Sequence, residues 1–152
     1  GEEVKPYFRT SVFMRSDFFI PDTYISDDRQ KIEFYKRFES CETIEEVDSL
    51  ESELIDRFGV QPPEVTMLVE LERVRALASA LMIDEILEDP RKINIKITSA
   101  CLISSEKLIE QISNDSRLKT DPKNPENLIF RSQAKSSEKK LTELKKWLQQ
   151  FP

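Results

Sequence analysis

The stretch Ser52-Glu53-Leu54-Ile55-Asp56-Arg57-Phe58-Gly59-Val60-Gln61-Pro62-Pro63-Glu64-Val65 decides how this chain is to be read. It joins the end of one amphipathic helix, a glycine stop and a proline start to the next helix. Gly59 suits a left-handed C-cap, because only glycine takes that conformation without steric cost. Pro62-Pro63 cannot sit inside a helix but fits its first turn, where the missing N–H is not needed. Upstream, Thr43-x-x-Glu46 has the form of a capping box. Ile44, Val47, Leu50, Leu54 and Phe58 then recur at steps of three and four, which predicts one buried stripe over a helix spanning 43–58. Downstream, Val65, Leu68, Leu71, Val74, Ala78 and Leu81 mark the longest helix, with Val69 and Leu77 widening its apolar side.

Further out, residues 7–20 are rich in aromatic and β-branched side chains and read as extended, with a break near Ser16-Asp17. Asp27 and Gln30 fit an N-cap and N3 pair for a helix carrying Ile32, Phe34, Tyr35 and Phe38 to about Ser40. After the long helix the period changes. Lys92 to Thr98 alternates strictly, as a half-buried strand does, and Glu85-Ile86-Leu87 is its expected partner. Ser104 or Ser105 caps a short helix using Leu108, Ile109 and Ile112. Leu118 and Leu128-Ile129-Phe130 suggest two more strands around a turn at 121–125. Ser136 or Ser137 caps a last helix with Leu141, Leu144, Leu148 and Phe151 inward, and Trp147 in or beside the core. The predicted class is α+β: a helical first half packed with a small, mainly antiparallel sheet and two further helices.

Composition narrows the function. The chain has 152 residues, 38% hydrophobic and 34% charged, with net charge −6. That suits one domain over 1–152 with a core of its own. A negative balance argues against a nucleic-acid module, which needs cations to neutralise phosphates. Lys139, Lys140, Lys145 and Lys146 read as a solvated face. No apolar run approaches the ~18 residues of a membrane span, and no signal peptide is visible. With no initiator Met before Gly1, the chain is expected to be an excised fragment or to carry a cloning scar. Residues 1–6 are then expected to be disordered or foreign to the parent.

Absences exclude several chemistries. There is no histidine, which removes the commonest general base and zinc ligand and every Ser-His or Cys-His pair. Two glycines cannot build a Walker or dinucleotide loop. Cys41 and Cys101 are too few for a secreted disulfide scaffold and have no activating neighbour in sequence, so a reducing compartment is expected. No catalytic, cofactor-binding or metal-ligating residue is assigned. Asp27-Asp28 could be paired carboxylates, but a helix start favours negative charge and capping explains both.

What remains is charge pattern. From Glu42 to Arg57 the acids are Glu42, Glu45, Glu46, Asp48, Glu51, Glu53 and Asp56, against one base. Glu45, Glu53 and Asp56 fall near one ridge of the helix. The ridge is either a solvated face opposite the core stripe or an acidic docking surface for an Arg-rich partner.

The segment from Glu53 to Gly59 resembles the ELIDRFG-x-x-P-x-x-V signature of the C-terminal domain of bacterial transcription-repair coupling factors (Mfd). So do Ile20 to Ile25, Arg29 to Arg37, Glu64-Val65 and Leu71 to Leu77, in the same order and at similar spacing. The likeness runs from Phe18 to Ile83 and is a matter of pattern after about residue 84. It implies a cytoplasmic, bacterial, non-catalytic regulatory domain of a multi-domain, ATP-driven DNA translocase. By resemblance, it packs on the UvrB-like domain of the same chain and masks the surface that binds UvrA. It thereby represses the parent until stalled RNA polymerase is engaged. The contact residues implied are Glu53 and Asp56, with Glu45 on the same ridge. No cofactor, nucleic acid or membrane contact is expected of the domain itself, and the fragment is expected to be monomeric. Two rivals stay open: a freestanding acidic adaptor, and a metal-dependent hydrolase built on Asp27, Asp28 and neighbouring acids.

Overall fold

The computed structural model describes residues 8–151, so the expectation for residues 1–6 lies outside the described residues. Elements run in the order β1 (Ser11–Phe13), α1 (Asp28–Glu39), α2 (Ile44–Phe58), α3 (Pro63–Ala80), β2 (Glu85–Glu88), β3 (Ile93–Lys96), α4 (Ser105–Asn114), β4 (Leu118–Asp121), β5 (Asn124–Phe130) and α5 (Ser137–Leu148). The fold is α+β. The strands form one sheet in the order β1-β2-β3-β5-β4. β1 pairs with β2 in parallel, and the other pairings are antiparallel.

The helix starts follow the local chemistry. Asp27, Thr43, Ser104 and Ser136 each accept the N–H three residues on, and Pro63 opens α3 behind Pro62. The box at Thr43 is displaced by one residue. Glu46 Oε2 accepts the N–H of Glu42, at 2.9 Å, rather than that of Thr43.

Gly59 departs from expectation. Its φ is 86° but its ψ is −164°, outside the left-handed helical region. That combination is essentially reserved for glycine. Its N–H donates to Ile55 O at 2.8 Å, and its carbonyl accepts the Tyr24 hydroxyl at 2.7 Å. The left-handed turn occurs instead at Met82, with φ 58°. Met82 N–H donates to Ser79 O and Ile83 N–H to Ala78 O, the paired bonds of a Schellman end. No glycine marks this stop in the sequence.

Two hydrophobic clusters share α3. One gathers Phe34 and Phe38 of α1, Val47, Leu50 and Leu54 of α2, and Val65, Leu68 and Val69 of α3. The other packs Val74 and Ala78 against Ile86, Ile93 and Ile95 of the sheet, with Leu141, Leu144 and Trp147 of α5. α3 is therefore buried on most sides, Glu70 and Glu72 included. Three apolar assignments shift outward. Phe58 is only partly buried, at the edge of the first cluster. Ile32 is 53% and Ile109 63% exposed. α4 has no fully buried residue, so Leu108 and Ile112 merely lean on the second cluster.

Candidate functional site

α2 is held by little apolar surface: Val47, Leu50 and Leu54 are its buried residues. Charge completes its attachment. Arg73 of α3 donates Nε to Asp48 Oδ1 at 2.9 Å, Nη2 to Glu51 Oε1 at 2.6 Å and Nη1 to Glu70 Oε1 at 3.1 Å. Lys145 of α5 closes the network on Glu70 Oε2 at 2.7 Å. Gln61 Nε2 donates to the second oxygen of Glu51 at 2.8 Å. The flank of α2 facing α3 is thus neutralised by a planar fork suited to several carboxylates.

The other flank carries the residues singled out by sequence. Glu53 is half-exposed and receives both forks of Arg37 from α1. Nη1 bonds to Oε2, and Nη2 lies 3.0 Å from Oε1. Arg57, one turn on, has Nη1 at 4.0 Å from Glu53 Oε2. Hydrogen bonding from Arg37, with the positive charge of Arg37 and Arg57, holds the Glu53 carboxyl below the usual carboxylate range. Both guanidinium groups also lie over the Phe34 ring, 5.3 and 5.2 Å from its centroid, and so roof the first cluster.

Glu45 and Asp56 are exposed, and neither takes part in an ion pair among the described residues. Glu45 and Glu53 share the rim of an open groove of about 600 Å³ between the end of α1 and α2, floored by Leu50 and Cys41. Asp56 lies outside that lining, so the ridge divides into a groove pair and a separate carboxylate. The partners that fix Glu53, Asp48 and Glu51 come from α1 and α3. Sequence reasoning missed Arg37 and Arg73. Spacing along α2 carries no signal of them, although Arg37 is recognisable as a last-turn cation of α1.

The remaining candidates are placed plainly. Asp27 uses its carboxylate as a cap, and Asp28 is the first residue of α1. Cys41 and Cys101 are half-buried thiols, both pushed up in pKa mainly by burial. Among the described residues, no group of three or more His, Cys, Asp or Glu is placed to hold a metal ion. Nor is any described helix long and apolar enough to cross a membrane.

A family model described as the TRCF domain matches residues 14–108. The chain belongs to the TRCF domain family. The match runs through α1, α2, α3, β2 and β3 into α4, past the Ile83 limit read from sequence. The transcription-repair-coupling factor of Bacillus subtilis (strain 168) is 38% identical over 105 residues, which are 68% of this chain and 9% of that protein. Its counterpart in Escherichia coli (strain K12) is 37% identical over 73 residues, 48% of this chain and 6% of that protein. The chain therefore spans under a tenth of the relatives' length. A crystal structure of the C-terminal domain of transcription-repair coupling factor superposes with a TM-score of 0.73 at 26% identity. It covers 91% of this chain and 95% of that one. A likeness of fold over 91% of the chain extends well past residue 84, where sequence similarity had thinned to pattern.

Proposed function

We propose that this TRCF domain is a non-catalytic regulatory domain of a transcription-repair coupling factor, and that the outer ridge of α2 is its docking surface. In this reading Glu53 and Asp56, with Glu45 beside them, meet basic side chains of the UvrB-like domain of the same parent chain. Docking masks the UvrA-binding surface and represses an ATP-driven DNA translocase in the cytoplasm until stalled RNA polymerase is engaged. The domain itself needs no cofactor, metal or nucleic acid for that role.

The observation that carries the proposal is the surplus charge of α2. Its core work is done by three apolar side chains and the Arg73 network, yet exposed acids remain at Glu45, which lines a groove, and at Asp56 beyond it. Such a contact can be weak in trans and still close the parent, because the two surfaces are tethered at high effective concentration. The test replaces Glu53 and Asp56 together by Ala in the full-length parent. UvrA binding and basal translocation should both rise, while the 152-residue chain keeps its fold and nearly its thermal midpoint. A variant parent that stays repressed, with the domain still folded, would put the clasp elsewhere.

A further inference from the structure

We propose that Arg37 is a built-in competitor for the docking contact at Glu53, and that Glu33 takes over its guanidinium when docking draws Glu53 away. The inference rests on the docking reading above.

Three observations support it. First, both oxygens of Glu53 are already engaged by one guanidinium, and a second cation, Arg57, stands 4.0 Å off. A partner cation approaching Glu53 meets a carboxylate whose field is largely cancelled. Second, the pair is reachable. Arg37 and Glu53 side chains are each 40% exposed and lie on the rim of the groove rather than beneath it. Water screens such pairs and makes them exchangeable. Third, Arg37 has somewhere to go without leaving its place. Its guanidinium rests over Phe34, and Glu33, exposed one helical turn earlier, acts on it by charge without being within ion-pair distance. Residues four apart on a helix are neighbours, so a rotation of the Arg37 side chain suffices to change partners.

The consequence is a contact that docks less tightly than its acids would allow. The domain then remains releasable, since each docking event must break one charge-assisted fork before it forms another.

The experiment compares the full-length parent and its Arg37→Met, Glu53→Gln, Glu33→Gln and Arg37→Met/Glu53→Gln variants, reading UvrA affinity. Met keeps an apolar stem over Phe34. Thermal midpoints of the same variants in the 152-residue chain show that each is folded. Arg37→Met should dock more tightly and weaken UvrA binding by about tenfold, the scale expected for removing one like charge from a charged contact. Glu53→Gln should strengthen UvrA binding. The double variant should behave as Glu53→Gln, because the competitor has nothing left to compete for. Glu33→Gln, on an exposed site that does not endanger folding, should strengthen UvrA binding modestly. If Arg37→Met instead strengthens UvrA binding or leaves it unchanged while Glu53→Gln strengthens it, Arg37 positions Glu53 and the proposal is overturned with docking intact. An unchanged Glu33→Gln removes the exchange. An unchanged Glu53→Gln overturns the docking role of Glu53 and the proposal together.

Discussion

Helices α2 and α5 are both capped by a hydroxyl and both lie against α3, yet they distribute their side chains in opposite ways. α5 buries six of its twelve residues, Trp147 and Lys140 among them. α2 buries three of fifteen. One charge of α5, Lys140, is turned inward, while Lys139 and Lys146 stay exposed. Lys140 Nζ is 3.0 Å from Glu88 Oε2, and Glu88 Oε1 accepts the Ser137 hydroxyl at 2.7 Å and the Arg15 N–H at 2.8 Å. α5 is consumed by folding. α2 is tied to α3 through Arg73 and to α1 through the Arg37–Glu53 pair, and it leaves Glu45 and Asp56 exposed. A helix longer and more acidic than its core requires is where function is to be sought.

The largest test of this contrast is Trp147→Ala. Trp147 is fully buried, 6.2 Å from the Phe130 ring and 5.2 Å from that of Phe151. Its loss should cost roughly 3–5 kcal/mol in a denaturant titration. A cost near 1 kcal/mol would mean that α5 is no better anchored than α2. Next comes Arg73→Met, which leaves Glu51 and Asp48 without their cation in a network whose Arg73 side chain is 14% exposed. The expected cost is about 1–3 kcal/mol. A double-mutant cycle with Glu51 should show coupling, and additivity would deny that the ion network holds α2.

A smaller effect separates the helices by pH. Burial pushes the Glu88 carboxyl up, but the Arg15 N–H, the Ser137 hydroxyl and Lys140 outweigh it and leave the pKa below its ordinary value. A depressed folded-state pKa stabilises the fold above the unfolded value of about 4.3. That contribution is lost as pH falls through the folded value. Glu88→Gln should therefore lower stability near neutrality and flatten the acid side of the stability curve. A Glu88→Gln curve parallel to the original at every pH would contradict the inward charge of α5. The smallest expected change is Asp56→Asn, within about 0.5 kcal/mol in the same titration. A cost above ~1 kcal/mol would make the outer ridge of α2 structural.

Much of this fold could be read from local chemistry. The caps at Asp27, Thr43 and Ser136, the proline start of α3 and the alternation of Ile93 and Ile95 act within a few residues, so the chain displays them. What depends on distant pairing could not be read so. β1 is three residues long and lies parallel to β2 more than seventy positions away. The Met82 turn is imposed by the end of α3 without a glycine to announce it. Phe58 keeps helical spacing with Leu54 but runs past the edge of the cluster. The acidic ridge shows the same division. Its carboxylates are plain in sequence, but the cations that neutralise Glu53, Asp48 and Glu51 come from α1 and α3. Spacing along α2 alone therefore overstates how much charge is free.

Under the proposed docking, the outer flank of α2 is covered in the parent and open in this domain alone. Amide hydrogen exchange measures this directly, because a docked helix opens less often than a free one. The amides of 44–58 should exchange more slowly in the full-length parent than in the 152-residue chain, while those of 137–148 exchange alike in both. Equal rates over 44–58, with new protection on another element, would contradict it.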